Sequence, residues 1–262
     1  MKYFVFGDVH GFYKEFMSKL KKSGFDENNP DHMLVSLGDN FDRGPDNYKM
    51  FEFLKKMKNK NKIILIKGNH EDLIMRMIFS KKIDEIDYGN GTYGTMQEFS
   101  NKYSNHRDMF LKSYDNMYLA LKNDGFFDLI YDMIDFYETD KYIFTHGYIP
   151  VEISNDRKSY KYIEGWRNAD KELFRKSRWL NGMEIAEYHN IYEEGKKIVV
   201  GHWHASYGNV RKKYGFNLDK RILTSLEFSD FRFFNPYRGK NIIAIDACTV
   251  QTKKVNILVL ED

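Results

Sequence analysis

The chain has 262 residues, a formal net charge of +3, 42% hydrophobic and 16% aromatic content, ample for a sizeable core. The weak positive balance is no nucleic-acid footprint, and no apolar run approaches the length of a membrane span. The lone cysteine, Cys248, excludes an intrachain disulfide and any multi-thiolate metal cluster.

Lys2-Tyr3-Phe4-Val5-Phe6 reads as a strand running into Gly7-Asp8-Val9-His10-Gly11, with no apolar region of signal-peptide length before it. A cytoplasmic chain with no membrane partner is expected. Phe12, Phe16 and Leu20 recur at four-residue spacing with lysines opposite, which predicts an amphipathic helix stopped by Gly24. Residues 33–37 form an apolar run read as a buried strand, and it leads into Gly38-Asp39-Asn40-Phe41-Asp42-Arg43-Gly44. Pro45-Asp46 then starts a helix carrying Tyr48, Phe51 and Leu54, whose basic end at 55–60 suits a solvated helix terminus. Residues 63–66 are apolar throughout, as in a strand covered on both faces. They lead into Gly68-Asn69-His70-Glu71 and a helix with Leu73, Ile74, Met77 and Ile78. Asp8 to Asp39 is 31 residues and Asp39 to Asn69 is 30, about one βαβ unit each. The three turns are therefore expected on neighbouring parallel strands, at the carboxyl ends where open α/β sheets bind ligands.

Residues 80–134 turn polar and rich in Tyr, Asn and Asp, with helical periodicity and no strand. Gly89-Asn90-Gly91-Thr92-Tyr93-Gly94 is formally a GxGxxG, but no strand precedes it, so it is not a dinucleotide fingerprint. It reads as a flexible loop before a capping box at Thr95-Met96-Gln97-Glu98. The same loop, next to Tyr93, is expected to act as a mobile lid on the substrate, with a helical buttress that never meets a ligand as the alternative. Residues 141–144 form a strand ending in Thr145-His146-Gly147, and residues 197–200 another ending in Gly201-His202-Trp203-His204. Between them, 151–194 reads as a second, mostly helical insertion. Residues 205–239 look irregular, and 241–246 and 254–260 close the chain as strands. One domain over 1–262 is expected, with insertions at about 80–134 and 151–194.

Five strand ends thus deliver Asp8, His10, Asp39, Asn69, His146 and His202, oxygen and imidazole donors without sulfur. Such donors suit Mn, Fe, Zn or Co better than Ca. Six exceed the needs of one tetrahedral ion and, with one carboxylate shared, suit two ions about 3.5–4 Å apart. Each Asp or His alone could be a turn former or helix cap; their coincidence at five strand ends points to a binuclear site. His204 has no settled role, touching a metal or substrate or standing behind the site. His32, His106 and His189 lie in polar surroundings and are expected to face solvent.

GDVHG, GDNFDRG and GNHE, followed by THG and GH, resemble the metallophosphoesterases of the phosphoprotein phosphatase type, in particular the bacterial and phage calcineurin-like Ser/Thr phosphatases. The resemblance covers roughly residues 1–79, 138–150 and 197–204, plus the closing strands. It implies an α/β fold, a four-layer α/β/β/α sandwich of two sheets flanked by helices, and hydrolysis of phosphoesters by a hydroxide activated between two metals. Two divalent ions are implied, Mn first, with Fe, Zn, Co or Ni as alternatives. Asp8, His10 and Asp39 would hold the first ion; Asp39 would bridge to the second, completed by Asn69, His146 and His202. His70 would be the general acid, Asp42 would orient it, and Arg43 would grip the phosphoryl oxygens. Arg178, 24 residues before His202, matches a second phosphate-binding arginine, with Arg167 and Arg175 as rivals. The sequence departs from the family at Trp203-His204, where Thr-Pro is common, and at Tyr148. Tyr93, Tyr148, Trp203 and Tyr207 could wall the site and stack a base. The expected substrate is a phosphoserine or phosphothreonine protein. The alternative is a nucleotide, as for the symmetrical diadenosine tetraphosphatases, which share GDVHG and DRGPD but usually read GNHD.

Overall fold

The computed structural model describes residues 1–103, 114–156, 159–215 and 218–262. The described strands are β1 (Lys2–Phe6), β2 (His32–Ser36), β3 (Ile63–Leu65), β4 (Phe136–Glu138), β5 (Tyr142–Thr145), β6 (Val151–Ile153), β7 (Tyr160–Tyr162), β8 (Lys197–His204), β9 (Tyr237–Arg238), β10 (Ile242–Asp246) and β11 (Leu258–Glu261). The helices are α1 (Tyr13–Ser23), α2 (Asn47–Asn59), α3 (Asn69–Ser80), α4 (Glu85–Asn90), α5 (Thr92–Tyr103), α6 (Tyr114–Asp124), α7 (Phe126–Tyr131), α8 (Lys171–Ser177), α9 (Gly182–Glu187), α10 (Ser206–Tyr214), α11 (Lys220–Glu227) and α12 (Thr249–Thr252). No described helix is long and apolar enough to cross a membrane.

Two sheets form the centre. One has the order β11-β1-β2-β3 and the other β4-β5-β8-β10-β9. β1, β2 and β3 run parallel as neighbours, as the spacing of the three turns predicts. The two-residue period of β1 explains how the layers stack. Phe4 and Phe6 pack outward with Phe16, Phe51 and Met50 of the helices, while Tyr3 and Val5 pack inward with Val35, Phe144, Val199 and Ile243. That inner layer joins the sheets face to face. A third core, with Ile143, Ile198, Trp166 and Met183, covers the far side of the second sheet. The result is the α/β/β/α sandwich that the resemblance implies, rather than the one sheet that the strand pattern alone suggests.

The structure changes several local readings. The segment 151–194 contains the antiparallel hairpin β6–β7 as well as helices. Residues 205–239 hold α10, α11 and β9 rather than irregular chain. At nine and eight residues, α10 and α11 run for only about two turns, too short for a helical period to stand out in the sequence. Helix α5 begins at Thr92, not after Thr95. Glu98 caps another helix: its carboxylate accepts from the Asn47 and Tyr48 amides at the start of α2, at 2.9 and 3.0 Å. His32 and His189 are half-buried, their rings 4.8 Å from Phe4 and Tyr160. His106 lies outside the described residues.

Candidate active site

The turns that leave the strands bring the candidate residues together between the carboxyl ends of the two sheets. Asp8, His10, Asp39, Asp42, Arg43 and His202 all have positive φ, between 48° and 74°. Side chains other than glycine avoid that region, so six such residues in one place mark backbone strain held by the surrounding fold. Two glycines make the close approaches possible. A Cβ on Gly68 would lie 2.2 Å from Asp39 Oδ1, and one on Gly201 would lie 2.2 Å from Asp8 Oδ2.

Asp39 stands at the centre. Its Oδ2 lies 3.8 Å from His10 Nε2, and its Oδ1 lies 3.4 Å from His146 Nε2. Two groups of ligand atoms converge there, His10 with Asp39 and His70, and Asp39 with His146 and His202, and Asp39 belongs to both. The imidazoles are oriented from behind: His10 Nδ1 meets Phe41 O at 2.9 Å and His146 Nδ1 meets Leu37 O at 2.7 Å. With Nδ1–H donated to a carbonyl, Nε2 presents a lone pair. His146 Nε2 then faces Asn69 Oδ1 at 2.8 Å, two acceptors that a shared cation satisfies. Asp8 is buried, its Oδ1 accepts from the His202 amide at 2.9 Å, and its Oδ2 has no partner.

The electrostatics agree with that donor set. Burial holds the His10 and His202 rings neutral, their pKa values lowered to about 3, and lowers His146 as well. Neutral imidazoles are the form that binds a metal. Burial, together with Asp246 and Asp39, raises the Asp8 carboxyl well above its ordinary value. Burial also opposes charge on Asp39, yet its carboxyl is held below the usual carboxylate range, with the His70 ring, which keeps its proton, among the causes. A buried carboxylate cluster with an orphan oxygen and neutral imidazoles is costly unless positive charge compensates it. The site fits divalent cations.

Beside this cluster, His70 Nδ1 and Asp42 Oδ2 are 2.7 Å apart. Burial lowers the His70 pKa, but Asp39 and the Asp42 bond outweigh it and leave the imidazole raised above its ordinary value. Arg43 lines the same cleft, with Nη1 3.4 Å from His10 Nε2. The cleft measures about 450 Å³.

Arg178 is placed differently. Its guanidinium pairs with Asp72 of α3 and with Asp135 and is buried away from the cleft lining. The expected grip on phosphate does not fit that placement, because two carboxylates already hold the fork. Arg167 pairs with Glu138 and Glu193, and Arg175 with Glu172. Of the expected aromatic walls, Tyr148 is fully buried and bonds Ile191 O, and Tyr93 packs on Tyr88 and the helical core. Trp203 and Tyr207 pack on each other, rings 5.5 Å apart, and neither lines the cleft. Trp179 lines it instead.

Other residues escaped the sequence reading. Glu71 accepts from the amides of Gly68, Asp39 and Asn40 at 2.8 to 2.9 Å, binding the second and third turns together. Its position as third residue of a helix was a legible capping signal. Thr92 and Thr95 of α5 donate to Asp42 at 2.9 and 2.7 Å; their three-residue spacing puts both hydroxyls on one helix face. Asp246, buried at the end of β10, lies 3.9 Å from His204 Nε2. A carboxylate closing a strand is the signal that Asp8 also gives. His204 itself is part-exposed and lines the cleft.

The fold and this site define a phosphoesterase-type α/β sandwich with a His, Asp and Asn ligand cluster. The calcineurin-like phosphoesterase profile matches residues 1–232, and the chain belongs to that family. It is similar to serine/threonine-protein phosphatase 2 of Escherichia coli (strain K12), 28% identical over 185 residues, 70% of this chain and 63% of that protein. It is 30% identical to the asymmetrical bis(5'-nucleosyl)-tetraphosphatase PrpE of Anoxybacillus flavithermus over 48% of this chain and 54% of that protein. The symmetrical bis(5'-nucleosyl)-tetraphosphatase of Buchnera aphidicola is 35% identical over 45% of this chain and 36% of that protein. The chain therefore spans about a half and about a third of the length of these two tetraphosphatases. In fold it is similar to the cold-active protein-tyrosine phosphatase of a Shewanella species, with a TM-score of 0.52 at 18% identity over 100% of this chain and 75% of that one.

Proposed function

We propose that this chain is a binuclear-metal phosphoesterase. The observation that carries the reading is Asp39, whose two oxygens face two separate groups of imidazole and amide ligands. Asp8, His10 and Asp39 would hold one ion, and Asp39, Asn69, His146 and His202 the other. Such ions, Mn first, supply Lewis acidity and make water nucleophilic near neutral pH.

The chain's own residues account for the remaining chemistry. Arg43, with His10 behind it, presents a planar fork to the phosphoryl oxygens. In the displacement a water oxygen bonds to phosphorus and the bond from phosphorus to the leaving oxygen breaks. His70 gives its proton to that oxygen, and the proton lost by water restores it. Asp42 keeps the imidazole charged and aimed, and Thr92 and Thr95 hold Asp42. We assign Arg178 to positioning, tying α3, which begins with Asn69 and His70, to the chain at Asp135 and Trp179.

Two substrate classes are compatible with this chemistry. The match to a serine/threonine-protein phosphatase spans the larger share of the chain and supports a phosphoprotein. The matches to two bis(5'-nucleosyl)-tetraphosphatases support a nucleotide. The reaction itself is tested with an aryl phosphate. Chelated protein should be inactive and manganese should restore hydrolysis. Absence of hydrolysis of any phosphoester by folded, manganese-loaded protein would overturn the reading.

A further inference from the structure

The cleft is larger than a phosphoryl group requires. Its volume of about 450 Å³ falls in the range of about 300–1,000 Å³ typical of small-molecule pockets. Its walls also carry groups that have no part in the reaction at phosphorus. Trp179 lines the cleft with 47% of its surface exposed. The indole is not loose: its ring stands edge-on to the His202 ring at 5.8 Å. The preceding residue, Arg178, is clamped between two carboxylates. A rigid, exposed aromatic beside a phosphate site is a stacking surface of low entropic cost. Asn90 and Gln251 line the same cleft, and neither carboxamide has a hydrogen-bond partner among the described residues. A carboxamide offers a donor and an acceptor side by side, the pattern that pairs with adenine N7 and N6.

We propose that the cleft takes a nucleotide, with its base stacked on Trp179 and its base edge read by Asn90 or Gln251, while the phosphate lies at the ligand cluster and Arg43. A phosphoserine or phosphothreonine side chain brings no ring to the indole, and the phenyl ring of phosphotyrosine has no edge for the carboxamides. Trp179 and the two amides are therefore specificity-determining residues. The inference rests on the phosphoesterase reading of the same site.

The test isolates the base by comparing adenosine 5'-monophosphate with ribose 5-phosphate, which carries the same phosphate and sugar. The wild-type protein should favour the nucleotide in kcat/KM, and Trp179→Ala should lower the ratio about 5- to 150-fold, the fold-change of one stacked base. Trp179→Phe should keep most of the preference, and the double variant Asn90→Ala with Gln251→Ala should lose adenine selectivity against uridine 5'-monophosphate. Calorimetry of adenosine, which has no phosphate to hydrolyse, on manganese-loaded protein gives a second readout, in which Trp179→Ala should weaken binding by the same factor. Elemental analysis of each variant checks that its metal is retained. A wild-type ratio near one, or a ratio unchanged in Trp179→Ala, would overturn the inference and leave the phosphoesterase reading standing. Failure to hydrolyse either compound or an aryl phosphate would overturn both.

Discussion

Asp42 is fully buried and is held on three sides, by the His70 ring and by the Thr92 and Thr95 hydroxyls. Its negative charge is one reason that His70 binds a proton more tightly than a free imidazole. The sign follows from linkage. A raised folded pKa means that the acid form persists above the ordinary value of 6.5 and is lost as pH rises through the folded pKa. The stability that the pair contributes is complete below the unfolded pKa and is lost over the same rise. Asp42→Asn should therefore move the alkaline limb of the kcat/KM profile to lower pH; a limb that stays in place would remove Asp42 from this role. His70→Ala should slow an alkyl phosphate by roughly 10²–10⁴ and an activated aryl phosphate by much less, since a good leaving group needs little protonation. Equal losses on both would argue against a general acid. Arg178→Ala separates positioning from phosphate binding. Positioning predicts a loss of stability on the order of 2 kcal/mol, below the ~3–5 for a fully buried pair because Asp72 and Asp135 keep some solvent contact. A raised KM with unchanged thermal stability would restore the phosphate grip.

At the scale of elements, α5 is the part whose role changes most between sequence and structure. The Gly-rich stretch before it suggests a mobile lid, yet Gly91 sits against the second turn. A Cβ there would lie 2.3 Å from the Arg43 amide, and its φ is +84°. Helix α5 is a buttress that supplies two hydroxyls to Asp42 and a carboxylate to the start of α2. Thr95→Val keeps the shape but leaves Asp42 short of a donor. It should cost about 1–3 kcal/mol, read as a shift of the denaturant midpoint, and should move the alkaline limb to higher pH, opposite to Asp42→Asn, because a carboxylate with one donor fewer holds the His70 proton more tightly. Full stability would show that the hydroxyl is dispensable. The turns at Asp8, Asp39 and Asn69 were legible because each lies in a local strand-turn-helix unit with glycine punctuation. The partners of Thr95 and Glu98 were not, since Asp42 and Asn47 lie about 50 residues away in the chain, and sequence spacing carries no such contact. Arg178 was legible as an arginine at the right distance from His202, but its direction is set by Asp72 and Asp135.

In the whole molecule, two sheets meet through Tyr3, Val5, Phe144, Val199 and Ile243, and that packing brings His146 and His202 against Asp39. The strand runs alone predict one sheet; the second follows from which faces pack, and only the family resemblance anticipated it. Trp179 lines the cleft, while Tyr148 is buried in the core on the far side of the second sheet. The arrangement makes Asp39 the one carboxylate common to both ligand groups. Its amide replacement loses the charge that offsets two cations, so Asp39→Asn should lose metal and activity together while the aromatic core keeps the chain folded. The central claim is that catalysis needs both ligand groups filled. Its most direct test is titration of chelated protein with manganese, following bound metal by elemental analysis and hydrolysis of an aryl phosphate in the same samples. The account predicts that activity rises until two ions are bound per chain and then levels. Full activity with one bound ion, or with none, would contradict it.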